Sequence, residues 1–139
     1  MKNIEWTARI AWGEARNQGP IGLQAVINVI DNRARTDLFG DGKADWWGES
    51  HAGVATAPYQ FSAFNENDPN RPKLEAVSDN DPTFVQAVEL AAKAVAGKLP
   101  DLTGGATHYH ARQITPPNWT VGAIRTAAIG DHIFYRGVA

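Results

Sequence analysis

The chain contains no cysteine, which excludes disulfides, thiolate nucleophiles, cysteine-bound zinc and iron–sulfur clusters. It carries no run of about 18 apolar residues, the length a membrane-spanning helix needs, so no membrane insertion is expected. Positive charge is not in excess. Thirteen Lys+Arg stand against 15 Asp+Glu, for a net charge of −2, and no basic cluster suggests a nucleic-acid partner. Gly-x-Gly-x-x-Gly, P-loop, Gly-x-Ser-x-Gly and Ser-x-x-Lys patterns are missing, which argues against a nucleotide cofactor and a serine hydrolase. Repeats and low-complexity tracts are missing too. Near the start, Glu5 and Arg9 interrupt any apolar stretch that a signal peptide would use. The expectation is synthesis in the cytoplasm, with release or delivery needed for action elsewhere.

What is present is one domain's worth of ordinary globular sequence. The 139 residues are 43% hydrophobic and 20% charged, enough to bury a core, and a single domain over residues 1–139 is expected. Five tryptophans need core or a binding surface to cover them. Trp6 reads as core and Trp12 as both core and wall. Trp46, Trp47 and Trp119 are natural platforms for the apolar faces of sugar rings.

Apolar periodicity predicts a first helix over 5–16, with Trp6, Ile10 and Gly13 on one face, and a second over 20–34, started by Pro20. Leu23, Val26, Ile27 and Ile30 form the apolar face of the second, and Asn28, Asn32 and Arg33 fall largely elsewhere on the wheel. Residues 35–80 are rich in Gly and Pro, and short helical turns around an ordered binding loop are expected there. Asp81-Pro82 caps a third helix over 82–96, with Phe84, Val88, Ala91 and Val95 on one face and Gly97 at its end. Gly130-Asp131 forms a hairpin turn between Thr126–Ile129 and His132–Arg136. The sum is an α+β domain, mainly α, with a small sheet or hairpin.

Glu14, at the end of the first helix in Trp12-Gly13-Glu14-Ala15-Arg16, is the leading chemical candidate. A carboxyl beside an indole and away from water keeps its proton and can donate it to a leaving glycosidic oxygen. On spacing alone, a solvated Glu14 paired with Arg16 or Arg9 is the simpler reading. In Tyr59-Gln60-Phe61-Ser62, polar and aromatic residues alternate, so an extended segment presents Gln60 and Ser62 to sugar hydroxyls or an acetamido group. A half-buried strand with a polar outer face explains it equally well. His108 and His110, with His132, could form a three-histidine metal site. His-x-His without His-Glu-x-x-His is weak, so hydrogen-bonding or packing roles are preferred and no metal or cofactor is expected. Asp37–Asp45 fails the spacing of a calcium loop and reads as a turn.

In order along the chain, Ala8–Arg16, Gly22–Arg33, Tyr59–Ser62, Ala106–His110, Pro117–Trp119 and Ile129–Tyr135 together resemble the SleB-type cell-wall hydrolases. This family comprises spore cortex-lytic and germination enzymes with phage and prophage relatives. The resemblance implies a lysozyme-like domain with helices around a glycan groove. It implies peptidoglycan as substrate, cut between N-acetylmuramic acid and N-acetylglucosamine, and Glu14 as catalytic acid. Gln60, Ser62 and Tyr109 match segments lining the groove, and Tyr59, His110 and Trp119 are expected to contact substrate with them. The chain shows neither the signal nor the peptidoglycan-binding repeat of the secreted spore enzymes, so a monomeric phage or prophage endolysin is the expected setting. Ordinary glycosidases need two carboxylates, and only Asp31 and Glu49, neither within a motif, offer a second. A lytic transglycosylase needs one. The competing readings are a hydrolytic muramidase, a zinc amidase using the histidines, and a non-catalytic glycan-binding module.

Overall fold

The computed structural model describes residues 2–36, 50–58 and 60–138. Among the described residues, five α-helices come first: α1 (Lys2–Ala15), α2 (Gly19–Arg35), α3 (His51–Thr56), α4 (Asn70–Ala76) and α5 (Pro82–Val95). Strands β1 (His108–Ala111), β2 (Ile124–Ile129) and β3 (His132–Arg136) follow, with 3-10 turns at Ser62–Phe64 and Asn118–Thr120. Helix α1 is the hub, packed against α2, α3, α4, α5 and the first 3-10 turn. Ile10, Leu23, Ile27, Ile30, Val54, Phe61 and Leu74 fill the core around it.

Helix α1 begins three residues before the periodicity suggests. Ile4 packs on the core, and the Asn3 Oδ1 accepts from the Ala52 N–H of α3 at 3.0 Å, so a tertiary contact holds the first turn. Helix α2 begins one residue earlier and ends one later than expected. Helix α5 runs as predicted to within a residue, and the Asp81 carboxylate caps it by accepting from the Phe84 N–H at 3.0 Å. Its buried stripe is Phe84, Ala87, Ala91 and Ala94, rather than one including Val88 and Val95. Alanines permit the close approach of α1, and the two valines end up half-buried at the margin.

The polar residues of α2 lie off its apolar face, as the wheel suggests, but two of them are covered. Asn28 and Arg33 are buried, at 1% and 4% exposure. The face away from the apolar one hydrogen-bonds the backbone of residues 100–107. Gln24 and Asn28 donate to the Pro100 carbonyl at 2.8 and 3.1 Å. Asn28 Oδ1 accepts from the Leu102 N–H, and Asn32 donates to the Ala106 carbonyl at 2.8 Å. Arg33 Nε donates to the Thr107 carbonyl at 2.6 Å. Spacings of four residues stack Gln24, Asn28 and Asn32 on one helix face. The loop needs partners for its buried backbone groups, and these side chains supply them. The ladder leads directly into β1.

The sheet is antiparallel in the order β1-β3-β2. The predicted hairpin forms at Gly130-Asp131, with φ of +55° at Gly130, the left-handed conformation a tight two-residue turn requires. Gln18, between α1 and α2, clamps the hairpin. Its Oε1 accepts from the Asp131 N–H and its Nε2 donates to Asp131 Oδ2, both at 2.9 Å.

Candidate active site

Glu14 closes α1 beside the 3-10 turn, and Gly13 allows that turn to approach. A Cβ on Gly13 would stand 3.1 Å from the Ala63 Cβ and 2.8 Å from the Leu74 Cδ2, too close for an unshifted neighbour. Without it, the Ala63 N–H reaches Glu14 Oε2 at 3.0 Å, and the Ser62 hydroxyl makes a longer contact to the same oxygen at 3.4 Å. The other oxygen, Oε1, accepts from the Tyr109 hydroxyl at 2.6 Å. Arg16 pins the helix end by donating to the Gly13 carbonyl and to Asn70 Oδ1.

Burial raises the Glu14 pKa above its ordinary 4.5, against the opposing hydrogen bonds from Tyr109, Ala63 and Ser62. Trp12 is not the cavity wall beside Glu14 that the sequence suggests. Two residues apart on a helix is about 200° of rotation; Trp12 points into the core, with the Arg16 guanidinium 4.5 Å from its ring, and does not line the cavity.

An open cavity of about 520 Å³ lies over Glu14. Gln60, Ser62, Tyr109, His110 and Trp119 line it with Glu14, so the structure brings six of the sequence candidates together. Tyr59 falls outside the described residues, as do Trp46, Trp47, Glu49 and the Asp37–Asp45 segment. Arg33, Asn65, Asn70 and His132 also line the cavity and were not singled out as contacts. Arg33 had a readable signal, a cation one step off the apolar face of a strongly amphipathic helix. Asn65 and Asn70 had none, because only the packing of the 3-10 turn and α4 turns them inward.

Among the described lining residues, Glu14 is the one carboxylate. Asp31 is withdrawn as a second, since its Oδ1 is already paired with Arg35 at 2.7 Å and with His51 at 2.8 Å. The three-histidine site is also taken apart by the sheet. Directly opposed residues share a face, and the register pairs Ala111 with His132 and Tyr109 with Phe134. His132 therefore lies on the Tyr109 face, and His108 and His110 lie on the other. No cluster of three metal-binding side chains exists among the described residues.

Each face has its own packing. Tyr109 sits against Phe61, Phe134 and the edge of His132, at centroid distances of 6.4, 5.4 and 4.7 Å. On the other face, Trp119 covers His108, His110 and Tyr135 at 5.1, 5.9 and 5.3 Å. Both nitrogens of His110 are engaged: Nδ1 lies 2.7 Å from the Ala111 carbonyl oxygen and Nε2 lies 3.0 Å from the Tyr135 hydroxyl. It lines the cavity as a wall that backs Trp119. Burial, then the Arg33 charge, lowers the His108 pKa to about 4. Burial also lowers that of Arg33, to about 10, which leaves the guanidinium charged at neutral pH.

The arrangement sets a carboxyl of raised pKa in an open cavity lined by polar side chains and by Tyr109, His110, Trp119 and His132. A spore cortex-lytic enzyme of Halalkalibacterium halodurans is 27% identical over 132 residues, 95% of this chain. The chain spans 34% of that relative's length. The catalytic domain of the germination-specific lytic transglycosylase SleB from Bacillus anthracis superposes with a TM-score of 0.71 at 24% identity, covering 98% of this chain and 95% of that one. The catalytic domain of the Bacillus cereus SleB protein gives 0.70 at 24% identity, covering 97% and 90%. The fold is thus the lysozyme-like one of the SleB catalytic domain, mainly helical with a small antiparallel sheet. The sequence model of the Cell Wall Hydrolase family matches residues 17–135, beginning three residues after Glu14. By that match the chain belongs to the Cell Wall Hydrolase family of enzymes.

Proposed function

We propose that the protein cleaves peptidoglycan strands between N-acetylmuramic acid and N-acetylglucosamine as a lytic transglycosylase, with Glu14 as both acid and base. The observation that carries this reading is the environment of Glu14. It is a carboxyl whose pKa is raised by burial and, to a smaller extent, by the Asp68 charge, and no other described residue lining the groove is a carboxylate. A two-carboxylate glycosidase has a second acid nearby to activate water or attack the sugar.

In the proposed reaction, the Glu14 proton passes to the leaving glycosidic oxygen as its bond to the muramic anomeric carbon breaks. The sugar's own 6-hydroxyl oxygen then bonds that carbon, and its proton returns to the Glu14 carboxylate. The product is a 1,6-anhydro end, and no water is consumed. Tyr109 and the Ala63 N–H hold the carboxyl in place and stabilise its anionic form once the proton has left. Gln60 and Ser62 supply polar contacts to the sugar, and Trp119 a face for a ring to pack on.

The setting we propose is a phage or prophage endolysin, delivered to the wall from the cytoplasm, on the resemblance to the phage members of the family. Lysis of cells co-producing the protein and a membrane-permeabilising partner, lost with Glu14→Gln, is the expected result there. The chemistry is tested by mass spectrometry of purified peptidoglycan digested by the protein and by Glu14→Gln. Anhydromuropeptides from the unmodified protein alone are expected. Reducing-end muropeptides would mean a hydrolase, and released peptides with intact glycan would mean an amidase.

A further inference from the structure

Between the first 3-10 turn and α4, the chain holds a half-buried carboxylate that the reaction above does not use. Asp68 is fixed by three bonds. Its N–H donates to the Asn65 carbonyl at 3.0 Å, its carbonyl accepts from the Arg71 N–H at 3.1 Å, and its Oδ1 accepts from the Asn70 N–H at 2.8 Å. The last is the turn that an aspartate side chain makes with the backbone two residues on. Asn70 then ties the segment to the end of α1. Its Oδ1 accepts from Arg16 NH2 at 2.8 Å, and Arg16 NH1 donates to the Gly13 carbonyl, next to Glu14, at 3.2 Å. Asn65 and Asn70, on either side of Asp68, line the cavity with Glu14, whereas Asp68 lines an adjoining cavity that shares Asn65. Among the described residues, no cation forms an ion pair with Asp68. Arg71, three residues on, pairs with Glu75 at 3.6 Å and donates to the Phe64 carbonyl.

We propose that Asp68 is a positioning residue for the catalytic acid: a fixed anion beside the groove that holds the proton on Glu14 through space, without touching substrate. The inference rests on Glu14 as the acid but not on which bond is cut. A negative charge favours the neutral form of a nearby carboxyl, and a desolvated surrounding screens the effect only weakly. The Asp68 charge accordingly adds to burial in raising the Glu14 pKa. The other groups around Glu14 do not take its place. Tyr109 from β1 bonds the carboxyl and lowers its pKa. Arg33 from α2 and His132 from β3 line the cavity, and α3 and α5 place no described side chain on it. Arg16 on α1 bonds Gly13 and Asn70. A second carboxylate inside the groove would also oppose ionisation of Glu14, but it could activate water or attack the sugar. One set outside the groove supplies the charge without that chemistry.

The test is titration of Glu14 in the whole chain, by carbon-13 NMR with glutamate labelled at its side-chain carboxyl. The Glu14 signal is identified by its loss in Glu14→Gln. Asp68→Asn is the decisive variant, because asparagine keeps an oxygen that can accept from the Asn70 N–H and removes only the charge. A fall in the Glu14 pKa on the order of half a pH unit is expected. The alkaline limb of the pH–rate profile for muropeptide release should fall with it. Asp68→Ala should give the same titration shift together with a lower Tm, since it loses the turn as well. Glu66→Gln removes an exposed charge two residues away and should leave the titration unmoved. An unchanged Glu14 titration in Asp68→Asn would overturn the proposal and leave Asp68 a turn residue. An equal shift in Glu66→Gln would also overturn it, because net charge rather than the placed carboxylate would then be at work. A shifted titration with no turnover of any peptidoglycan would uphold the role of Asp68 and overturn the reaction proposed for Glu14.

Discussion

The two faces of β1 are built from alternate residues of one short strand, and they serve opposite ends of the site. Tyr109 looks inward, packs on Phe61 and Phe134, and donates to Glu14. His108 and His110 lie on the opposite face and carry Trp119. The inner face puts a hydroxyl on a carboxyl whose pKa burial raises. The outer face puts its rings to supporting an aromatic wall. A strand's period of two lets three consecutive residues contribute to both without the faces sharing a side chain. The same alternation explains why three histidines close in sequence and pairing do not make a metal site.

The comparison breaks most sharply at Glu14. Glu14→Gln keeps the shape and removes the transferable proton, and a loss of at least about 10³-fold in turnover is expected, within the range of positioned acid catalysis, with wall binding retained in co-sedimentation. Tyr109→Phe comes next. It removes the inner-face donor, and a drop in kcat of about tenfold to a hundredfold is expected, as for one hydrogen bond to a charged group. The Tyr109 hydrogen bond lowers the Glu14 pKa, so its loss should also move the alkaline limb of the pH–rate profile upward. A purely structural role for Tyr109 would leave that limb unmoved. Trp119→Ala tests the outer face and should raise KM by about threefold to tenfold, with kcat and the limb little changed.

The smallest effect sharpens the contrast through stability, because the two faces carry opposite pH signs. Below the ordinary value of 4.5, Glu14 is protonated whether the chain is folded or not. As pH rises above it, the unfolded chain ionises first, so Glu14 costs stability near neutrality. Glu14→Gln should therefore raise Tm at neutral pH, and the gain should vanish below that value. His108 acts in the other direction. Its folded pKa is lowered from 6.5 to about 4, so the unfolded chain takes up the proton first as pH falls, and stability is lost across that window. His108→Gln should flatten the Tm profile between those values and leave it unchanged above 6.5.

Much of this architecture is legible in the primary structure. The cap at Asp81, the stop at Gly97 and the Gly130-Asp131 turn are local chemistry, and each appears where its residues predict. The α5 stripe was displaced toward its alanines because a neighbouring helix, rather than hydrophobicity alone, selects which face approaches. Asn28 and Arg33 look like solvent-facing polar residues until the 100–107 backbone arrives to be bonded. Asp31 looks like a spare carboxylate until His51, 20 residues away, takes it up.

Glu14 itself illustrates the division. Helix α1, its glycine and the carboxylate at its end follow from short-range pattern, and the order of segments along the chain carries the family. What makes that carboxylate unusual comes from Ser62, Ala63 and Tyr109, which lie 48, 49 and 95 residues further along. Periodicity and turn propensity act over a few residues. Desolvation and hydrogen bonding act over a few ångströms, and only the packed chain converts the one distance into the other.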